Sequence, residues 1–188
     1  MDLVFFGIQG SGKGTQAKKL AAQFPYDVFE AGGELRRIRA SGTPLGEMVK
    51  SFIDGGKLVP FGIIMQVTRE AVRARPSGRR ILFDGVPRDT DQMRAFDGIM
   101  EEAGRAFRCV AIVVDKEEAV QRILGRAKIE GRTDDADGAV IRDRMKTFEE
   151  KTVPVIAAYR SAGKLVEVDG RGTVEEIYGR LKEALGLA

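Results

Sequence analysis

The sequence predicts an α/β fold with three layers, in which a five-stranded parallel sheet lies between helices. Short apolar runs recur along the 188-residue chain, bounded by glycine, aspartate or lysine, and this is typical of strands buried on both faces of a parallel sheet. Amphipathic segments of helical period separate these runs. Because strands alternate with helices, we expect right-handed β-α-β crossovers with helices on both faces of the sheet.

The predicted strands are the short apolar runs themselves, and only the second in the chain is markedly polar. In order, they are Leu3–Phe6, Asp27–Glu30, Ile81–Phe83, Val110–Val114 and Leu165–Val168. No basic residue precedes the first run, which therefore predicts a strand and not a signal peptide.

The predicted helices are the longer segments with apolar residues at helical spacing. Two of them begin with the spacing of a capping box, Asp115 with Glu118 and Thr173 with Glu176. A shorter helix is expected to begin at Thr43-Pro44, since proline fits the first helical turn. The longer helices are Lys13–Phe24, Pro60–Arg75, Thr90–Ala103, Lys116–Ala127, Ala139–Ala162 and Thr173–Leu185.

One domain is expected over residues 1–188, with two interruptions in the alternation of strands and helices. Residues 31–59 contain short helical patterns and no apolar run, which predicts a small helical insertion. Residues 126–136 are polar and rich in turn formers, which predicts a short mobile loop.

The composition excludes several kinds of chemistry. The chain has no histidine and one cysteine, Cys109, which excludes a Ser-His-Asp triad, a histidine base, an intrachain disulfide and a zinc site built from several cysteines. The 31 basic and 28 acidic residues leave a net charge of +3, too small to predict nucleic-acid binding. No apolar stretch approaches the roughly 20 residues that span a membrane, so we expect a cytoplasmic protein.

A glycine-rich segment joins the first predicted strand to the first predicted helix. Glycines at this spacing let successive backbone N–H groups point to one centre, the helix N-terminus adds its dipole, and a lysine supplies a point charge for outer phosphates. The segment predicts a phosphate-binding loop; the alternative is a turn that only joins strand to helix. It departs from the strict Walker A pattern because Thr15 stands second after Lys13. The segment reads Gly7-Ile8-Gln9-Gly10-Ser11-Gly12-Lys13-Gly14-Thr15.

The third predicted strand is followed by Asp84 and by a tight turn that presents Arg88. A carboxylate at the carboxyl end of a strand beside a phosphate loop is well placed to hold Mg²⁺, usually through water. Asp84 and Thr15 are therefore the candidate metal-binding residues. The alternative for Asp84 is a turn residue that bonds its own backbone.

The run Gly10-Ser11-Gly12-Lys13-Gly14-Thr15-Gln16-Ala17 resembles the opening of the adenylate kinases and related nucleoside monophosphate kinases, and the spacing agrees from Gly7 to Gln92. The resemblance implies a P-loop fold, with reversible transfer of the γ-phosphoryl group of ATP, with Mg²⁺, to AMP to give two ADP. It also implies that residues 10–15 bind ATP, that the insertion at 31–59 binds the monophosphate, and that residues 126–136 form a short lid without zinc.

The resemblance also assigns residues to the acceptor AMP. Gly85-Val86-Pro87-Arg88 is similar to the family's Gly-Phe-Pro-Arg, whose arginine binds the monophosphate. Gln92 matches the glutamine that reads the edge of adenine. The remaining positions that the resemblance assigns to AMP are Ala31, Gly32, Arg36, Lys57, Leu58 and Val59.

Four arginines in the second half of the chain fall where the family places phosphate-binding arginines: Arg122, Arg126, Arg132 and Arg144. The resemblance implies that the first two bind ATP, whereas Arg132 and Arg144 bridge toward AMP, and that all four are catalytic together with Lys13 and Arg88. For each one alone, the alternative is solvated surface, although no acid is spaced to pair with both Arg122 and Arg126. Gly172 matches the position that borders the adenine of ATP.

The two positions that read the base disagree, and this leaves alternatives open. Ala31 stands where the adenylate kinases have threonine and is similar to the UMP/CMP kinases, whereas Gln92 favours adenine because its amide can pair with the base edge. A pyrimidine or broad-specificity nucleoside monophosphate kinase is therefore the first alternative. The second is a regulatory P-loop protein that binds nucleotide without turnover, although the chain lacks the Asn-Lys-x-Asp motif of guanine switches. We expect a monomer.

Overall fold

The computed structural model describes residues 1–54, 59–76, 78–130 and 138–187, without the side chains of residues 53–54, 126–130 and 140. Its centre is a sheet of five parallel strands, which confirms the predicted α/β fold. The strands are β1 (Asp2–Phe6), β2 (Tyr26–Glu30), β3 (Arg80–Asp84), β4 (Phe107–Val113) and β5 (Leu165–Asp169). They lie in the order β2-β3-β1-β4-β5, so that β1 is central.

The helices follow the predicted segments closely. A capping box joins Thr173 and Glu176 as predicted, and Thr43 Oγ1 accepts the Gly46 N–H at 3.1 Å where a helix begins at Pro44. The side chain of Glu118 pairs with Arg122. The helices are α1 (Lys13–Gln23), α2 (Ala31–Arg39), α3 (Pro44–Asp54), α4 (Phe61–Arg73), α5 (Thr90–Glu102), α6 (Lys116–Glu130), α7 (Gly138–Thr147), α8 (Val153–Ser161) and α9 (Val174–Leu185).

The single long helix predicted over Ala139–Ala162 is interrupted. A π-helical turn at Phe148–Thr152 separates α7 from α8. Pro154 stands at the start of α8, lacks an N–H, and its ring clashes with the carbonyl four residues earlier in a regular helix. The wider turn accommodates this proline within a continuous run of helix.

Helices cover the sheet on both faces. Alternation along β1 sends Val4 and Phe6 into one buried cluster and Leu3 and Phe5 into another. The first cluster contains side chains of α4, α5 and α8, and the second contains side chains of α1 and α9. These two clusters make the three layers that the sequence predicts.

The register of the strands aligns their carboxyl ends. Phe5 of β1 lies opposite Asp84 of β3, and Asp84 lies opposite Glu30 of β2. On the other side of the sheet, Val113 of β4 lies opposite Asp169 of β5. The segments that follow these strands therefore emerge at one edge, which is where ligands bind in open α/β sheets.

Two helices, α2 and α3, pack against each other between β2 and α4, within the stretch predicted as an insertion. In the part of the chain that the structure describes, no helix is both long enough and apolar enough to cross a membrane.

Candidate active site

The predicted phosphate loop lies between β1 and α1. The Ser11 N–H donates to the carbonyl of Ile8 at 3.0 Å, which turns the chain back toward the sheet. Gly12 has a φ of 89° and caps α1, so the helix begins at Lys13 with its N-terminus at the carboxyl edge. The first turn of a helix carries backbone N–H groups without partners inside the helix and the positive end of the helix dipole, so this N-terminus suits an anion.

A small cluster of apolar side chains supports this loop from below. Ile8 packs with Ala119 and Ile123 of α6 and with residues of α7. Gly10 lies directly on α6: a Cβ at Gly10 would lie 2.4 Å from the carbonyl oxygen of Ala119. The loop therefore approaches α6 more closely than any residue with a side chain allows.

Ser11 adds an unusual polar atom to the loop. The residue is fully buried, and its Oγ has no hydrogen-bond partner among the described residues. An unpaired hydroxyl in a buried position has an energetic cost, and a phosphate held by this loop would accept a hydrogen bond from it. The resemblance assigns this residue to ATP.

Asp84 ends β3 beside the first turn of α1. Its Oδ2 lies 3.5 Å from the point that a Cβ of residue 14 would occupy. Burial raises the pKa of this carboxyl group above its ordinary value, Lys13 and Arg88 act to lower it, and Glu30 acts to raise it further. The charge interactions place Lys13 and Arg88 around the same carboxylate.

The donors at this position suit Mg²⁺ bound through water. Mg²⁺ usually keeps several waters and takes one or two carboxylates together with substrate phosphates. Asp84 supplies one carboxylate, and the exposed Thr15 supplies a hydroxyl in the first turn of α1. No group of three or more histidine, cysteine or acidic ligands occurs within the described ranges.

Arg88 is held by the turn that carries it. Its Nε donates to the carbonyl of Gly85 at 2.8 Å, and its carbonyl accepts from Thr152 Oγ1 at 2.8 Å. The side chain is exposed to solvent, yet protein atoms crowd the guanidinium: desolvation lowers its pKa, Asp84 raises it and Arg144 lowers it further. The positive charge of Arg144, on α7, thus acts against that of Arg88.

Gln92 is tied to the same turn. Its Oε1 accepts the Arg88 N–H at 2.9 Å, and its Nε2 donates to Asp89 Oδ2 at 3.2 Å. A primary amide has two donor hydrogens and two acceptor sites. One donor hydrogen and one acceptor site of the Gln92 amide are therefore left to pair with the edge of a base.

The remaining acceptor positions lie around the start of α2. Arg36 Nη2 donates to Glu30 Oε1 at 2.9 Å, and its Nη1 lies 3.3 Å from the position of a Cβ on Gly32. Ala31 and Val86 are buried at 2% and 1% exposure and belong to the apolar cluster of that sheet face. Their side chains pack into the core beneath the acceptor side.

Arg122 lies at the other side of the phosphate loop. It pairs with Glu118 one turn earlier and donates to the carbonyl of Gly170 at 3.0 Å. This bond joins α6 to the turn after β5, where Gly172 has a φ of 98°. Arg122 therefore contacts the segment predicted to border the ATP adenine, but it is engaged with a carboxylate that the sequence analysis did not assign to it.

The charges of Lys13 and Arg88 act on Asp84, and the charge of Arg144 acts on Arg88. Arg36 is bonded to Glu30, whose charge also acts on Asp84. Val59 lies two residues before the start of α4 and is partly buried. Lys57, Leu58 and Arg132 lie outside the described residues, as does the side chain of Arg126. Sequence reasoning missed Glu118, whose spacing to Arg122 could have revealed the pair, and Thr152, which lies 64 residues from its partner Arg88.

Comparison with known proteins gives one consistent result. A family model described as adenylate kinase matches residues 5–164. An adenylate kinase of Thermus thermophilus is 41% identical over 186 residues, covering 98% of this chain and 97% of that protein. Adenylate kinases of Maricaulis maris and Parabacteroides distasonis are 37% and 34% identical over the same length, covering 98% of this chain and 98% and 97% of their own chains.

Replacing Gly10 by alanine should damage the phosphate loop more than replacing Gly12. Both residues have positive φ, 85° and 89°, but only the Cβ at Gly10 meets backbone at 2.4 Å, whereas that at Gly12 meets nothing within 4 Å. We expect Gly12→Ala to cost about 1–2 kcal/mol of unfolding free energy and Gly10→Ala to cost about 1–3 kcal/mol more. Denaturant unfolding measures both; equal losses would contradict the close approach to α6.

Replacing Asp84 by asparagine should stabilise the protein at neutral pH. A carboxyl group whose pKa is raised on folding binds its proton more tightly in the folded state, so stability falls as pH rises from the ordinary value of 3.8. The asparagine side chain carries no charge, so the gain of Asp84→Asn should be present at pH 7 and absent below pH 3.8. Thermal unfolding across pH measures it, with Asp91→Asn, 75% exposed, as a control without this effect.

Proposed function

The chain belongs to the adenylate kinase family, and on that basis we propose that the carboxyl edge of its sheet is where it transfers the γ-phosphoryl group of ATP to AMP, giving two ADP. The observation that carries the proposal is that the Asp84 carboxylate lies beside the first turn of α1, where the charges of Lys13 and Arg88 act on it, while the charge of Arg144 acts on Arg88. The chain is a phosphotransferase, and these residues are the proposed catalytic core.

Phosphoryl transfer between two nucleotides is catalysed mainly by positively charged groups that position and stabilise the phosphates, and not by covalent chemistry. The transferred group passes through a state whose negative charge is spread over its oxygens, and preorganised cations stabilise that state. We propose that residues 10–15 and Lys13 Nζ hold the ATP phosphates. When bound, Mg²⁺ neutralises charge on them; Asp84 and Thr15 are the residues proposed to hold it through water.

The acceptor side is proposed to consist of Arg88, Arg36, Arg144 and Gln92, with Gly32, Gly85 and the buried Ala31 and Val86 shaping the wall. The acceptor is a phosphate that is already ionised at neutral pH, so no general base has to remove a proton. The absence of histidine from the chain is therefore compatible with this reaction. The free donor and acceptor of the Gln92 amide support adenine as the acceptor base.

Water has to be kept from the transferred phosphoryl group, since it is the competing acceptor. We propose that residues 31–59 form the monophosphate-binding insertion and residues 126–136 a short lid, and that both close over the nucleotides. Lys57, Leu58 and Val59 would border the AMP base, and Arg126 and Arg132 would approach the phosphates. Arg122 and Gly172 are proposed to face ATP, and the bond from Arg122 to Gly170 supports that placement.

We also propose that the protein acts as a monomer with Mg²⁺, without zinc, and in the cytoplasm, where ATP is the available donor. A preference for UMP or CMP is the second candidate, since Ala31 offers no hydroxyl to a base.

The preference for the acceptor nucleotide is tested by supplying Mg²⁺-ATP with AMP, UMP, CMP or GMP in turn and measuring the formation of nucleoside diphosphates. We expect AMP to be preferred by at least about tenfold in kcat/KM, because Gln92 offers adenine a donor and an acceptor at once. A preference for UMP or CMP would transfer the assignment to the pyrimidine kinases, and formation of no diphosphate at all would favour a regulatory protein.

Arg88→Lys should reduce kcat/KM for AMP by roughly 10²-fold. Lysine keeps the charge but loses both the fork that binds phosphate and the Nε bond to Gly85. Arg94→Lys, on the exposed face of α5 and paired with Asp91, is the matched control and should leave the rate within twofold. Near-normal activity of Arg88→Lys with AMP would remove Arg88 from the proposed site.

A further inference from the structure

Glu30 is an acidic residue that contacts Arg36 of the proposed acceptor side and has no assigned role. It is the last residue of β2 and directly precedes α2. Its Oε1 accepts a hydrogen bond from Arg36 Nη2 at 2.9 Å, and the two side chains are 44% and 53% exposed. Exposed ion pairs of this kind add little to folding stability, so stability does not account for the pair.

Two glycines make room for this ion pair. A Cβ on Gly32 would lie 3.3 Å from Arg36 Nη1, and a Cβ on Gly33 would lie 3.5 Å from Glu30 Oε2. Both charged side chains therefore lie against the first turn of α2, where neighbouring side chains do not separate them. One carboxylate oxygen holds the guanidinium, and the other lies over Gly33.

The strand register connects this pair to Arg88. Glu30 lies opposite Asp84 in the parallel pairing of β2 with β3, and Asp84 is followed by the turn whose Gly85 carbonyl accepts from Arg88 Nε. The backbone position of Glu30 is thus set by the same hydrogen-bonded strands that set the position of Arg88. A carboxylate anchored there fixes the Arg36 guanidinium relative to Arg88.

We infer that Glu30 is a positioning residue for the acceptor phosphate, an inference that rests on the proposed function. It holds Arg36 on the acceptor side before the nucleoside monophosphate binds, so that the arginine loses less side-chain freedom when it takes up the phosphate. Immobilising one long side chain in advance improves binding by about 3- to 10-fold. The effect is expected for AMP and not for ATP, since Arg36 is proposed to bind the acceptor phosphate.

The test is a set of variants at positions 30 and 33. Glu30→Ser should raise KM for AMP by about 3- to 10-fold, with kcat and KM for ATP within twofold of the parent. Glu30→Gln keeps an acceptor oxygen and should give a smaller increase. Adding Gly33→Asp to Glu30→Ser should restore KM for AMP, because it places a carboxylate beside the space that the Glu30 carboxylate occupied.

Glu34→Gln is the matched control: it removes an ion pair of equal length, 2.9 Å to Arg37, from the same helix and should change neither kcat nor KM for either nucleotide.

The outcomes separate this inference from the proposed function. If the parent phosphorylates AMP and Glu30→Ser leaves KM for AMP unchanged or lowers it, Glu30 does not position Arg36 and the inference is wrong. An equal increase from Glu34→Gln, or an increase in KM for ATP as large as that for AMP, would indicate a general disturbance of the fold and would also overturn it. If the parent does not phosphorylate AMP, the proposed function fails and the inference fails with it.

Discussion

The parallel hydrogen bonding of the sheet is the constraint on which the site depends. In a parallel sheet every strand has its carboxyl end at the same edge. The phosphate loop follows β1, Glu30 ends β2, Asp84 ends β3, and the turn that contains Gly172 follows β5. Segments that are far apart in the sequence therefore deliver their charged groups to one place, and an antiparallel arrangement of the same strands would divide them between two edges.

Burying the charged groups at this edge of the sheet has an unfavourable desolvation energy. Desolvation moves the pKa of the Asp84 carboxyl group upward and that of the Arg88 guanidinium downward, in each case toward the neutral form, and each of the two groups opposes the shift of the other. Packing below the site offsets this cost: Phe83 and Phe96 are fully buried and meet edge to face at 5.0 Å on one side of the sheet. The packing energy of the core thus offsets the unfavourable desolvation of Asp84 and Arg88 at the carboxyl edge of the sheet.

The carboxylates of the site do more than balance charge. Glu30 and Glu118 each pair with an arginine that the family resemblance assigns to a phosphate, Arg36 and Arg122. In the proposed reaction, a bound phosphate would meet guanidinium groups that already have an orientation. Thr152 acts similarly on the backbone, since its bond to the Arg88 carbonyl connects the π-helical turn to the acceptor side.

The sequence by itself determined the α/β class, the five strands, the phosphate loop and the turn at Asp84 to Arg88, because each depends on a local pattern: apolar runs, glycine spacing and helix starts. Only the tertiary structure decided which charges meet. The pairing of Arg36 with Glu30, the bond from Thr152 to Arg88 and the contact of Arg122 with Gly170 depend on strand order and on how α6 and α8 pack. The break at Phe148–Thr152 likewise arises from one proline within a pattern that is helical throughout. Local periodicity in the sequence specifies helices and strands. Contacts between them depend on packing geometry, which the sequence of one protein does not show directly.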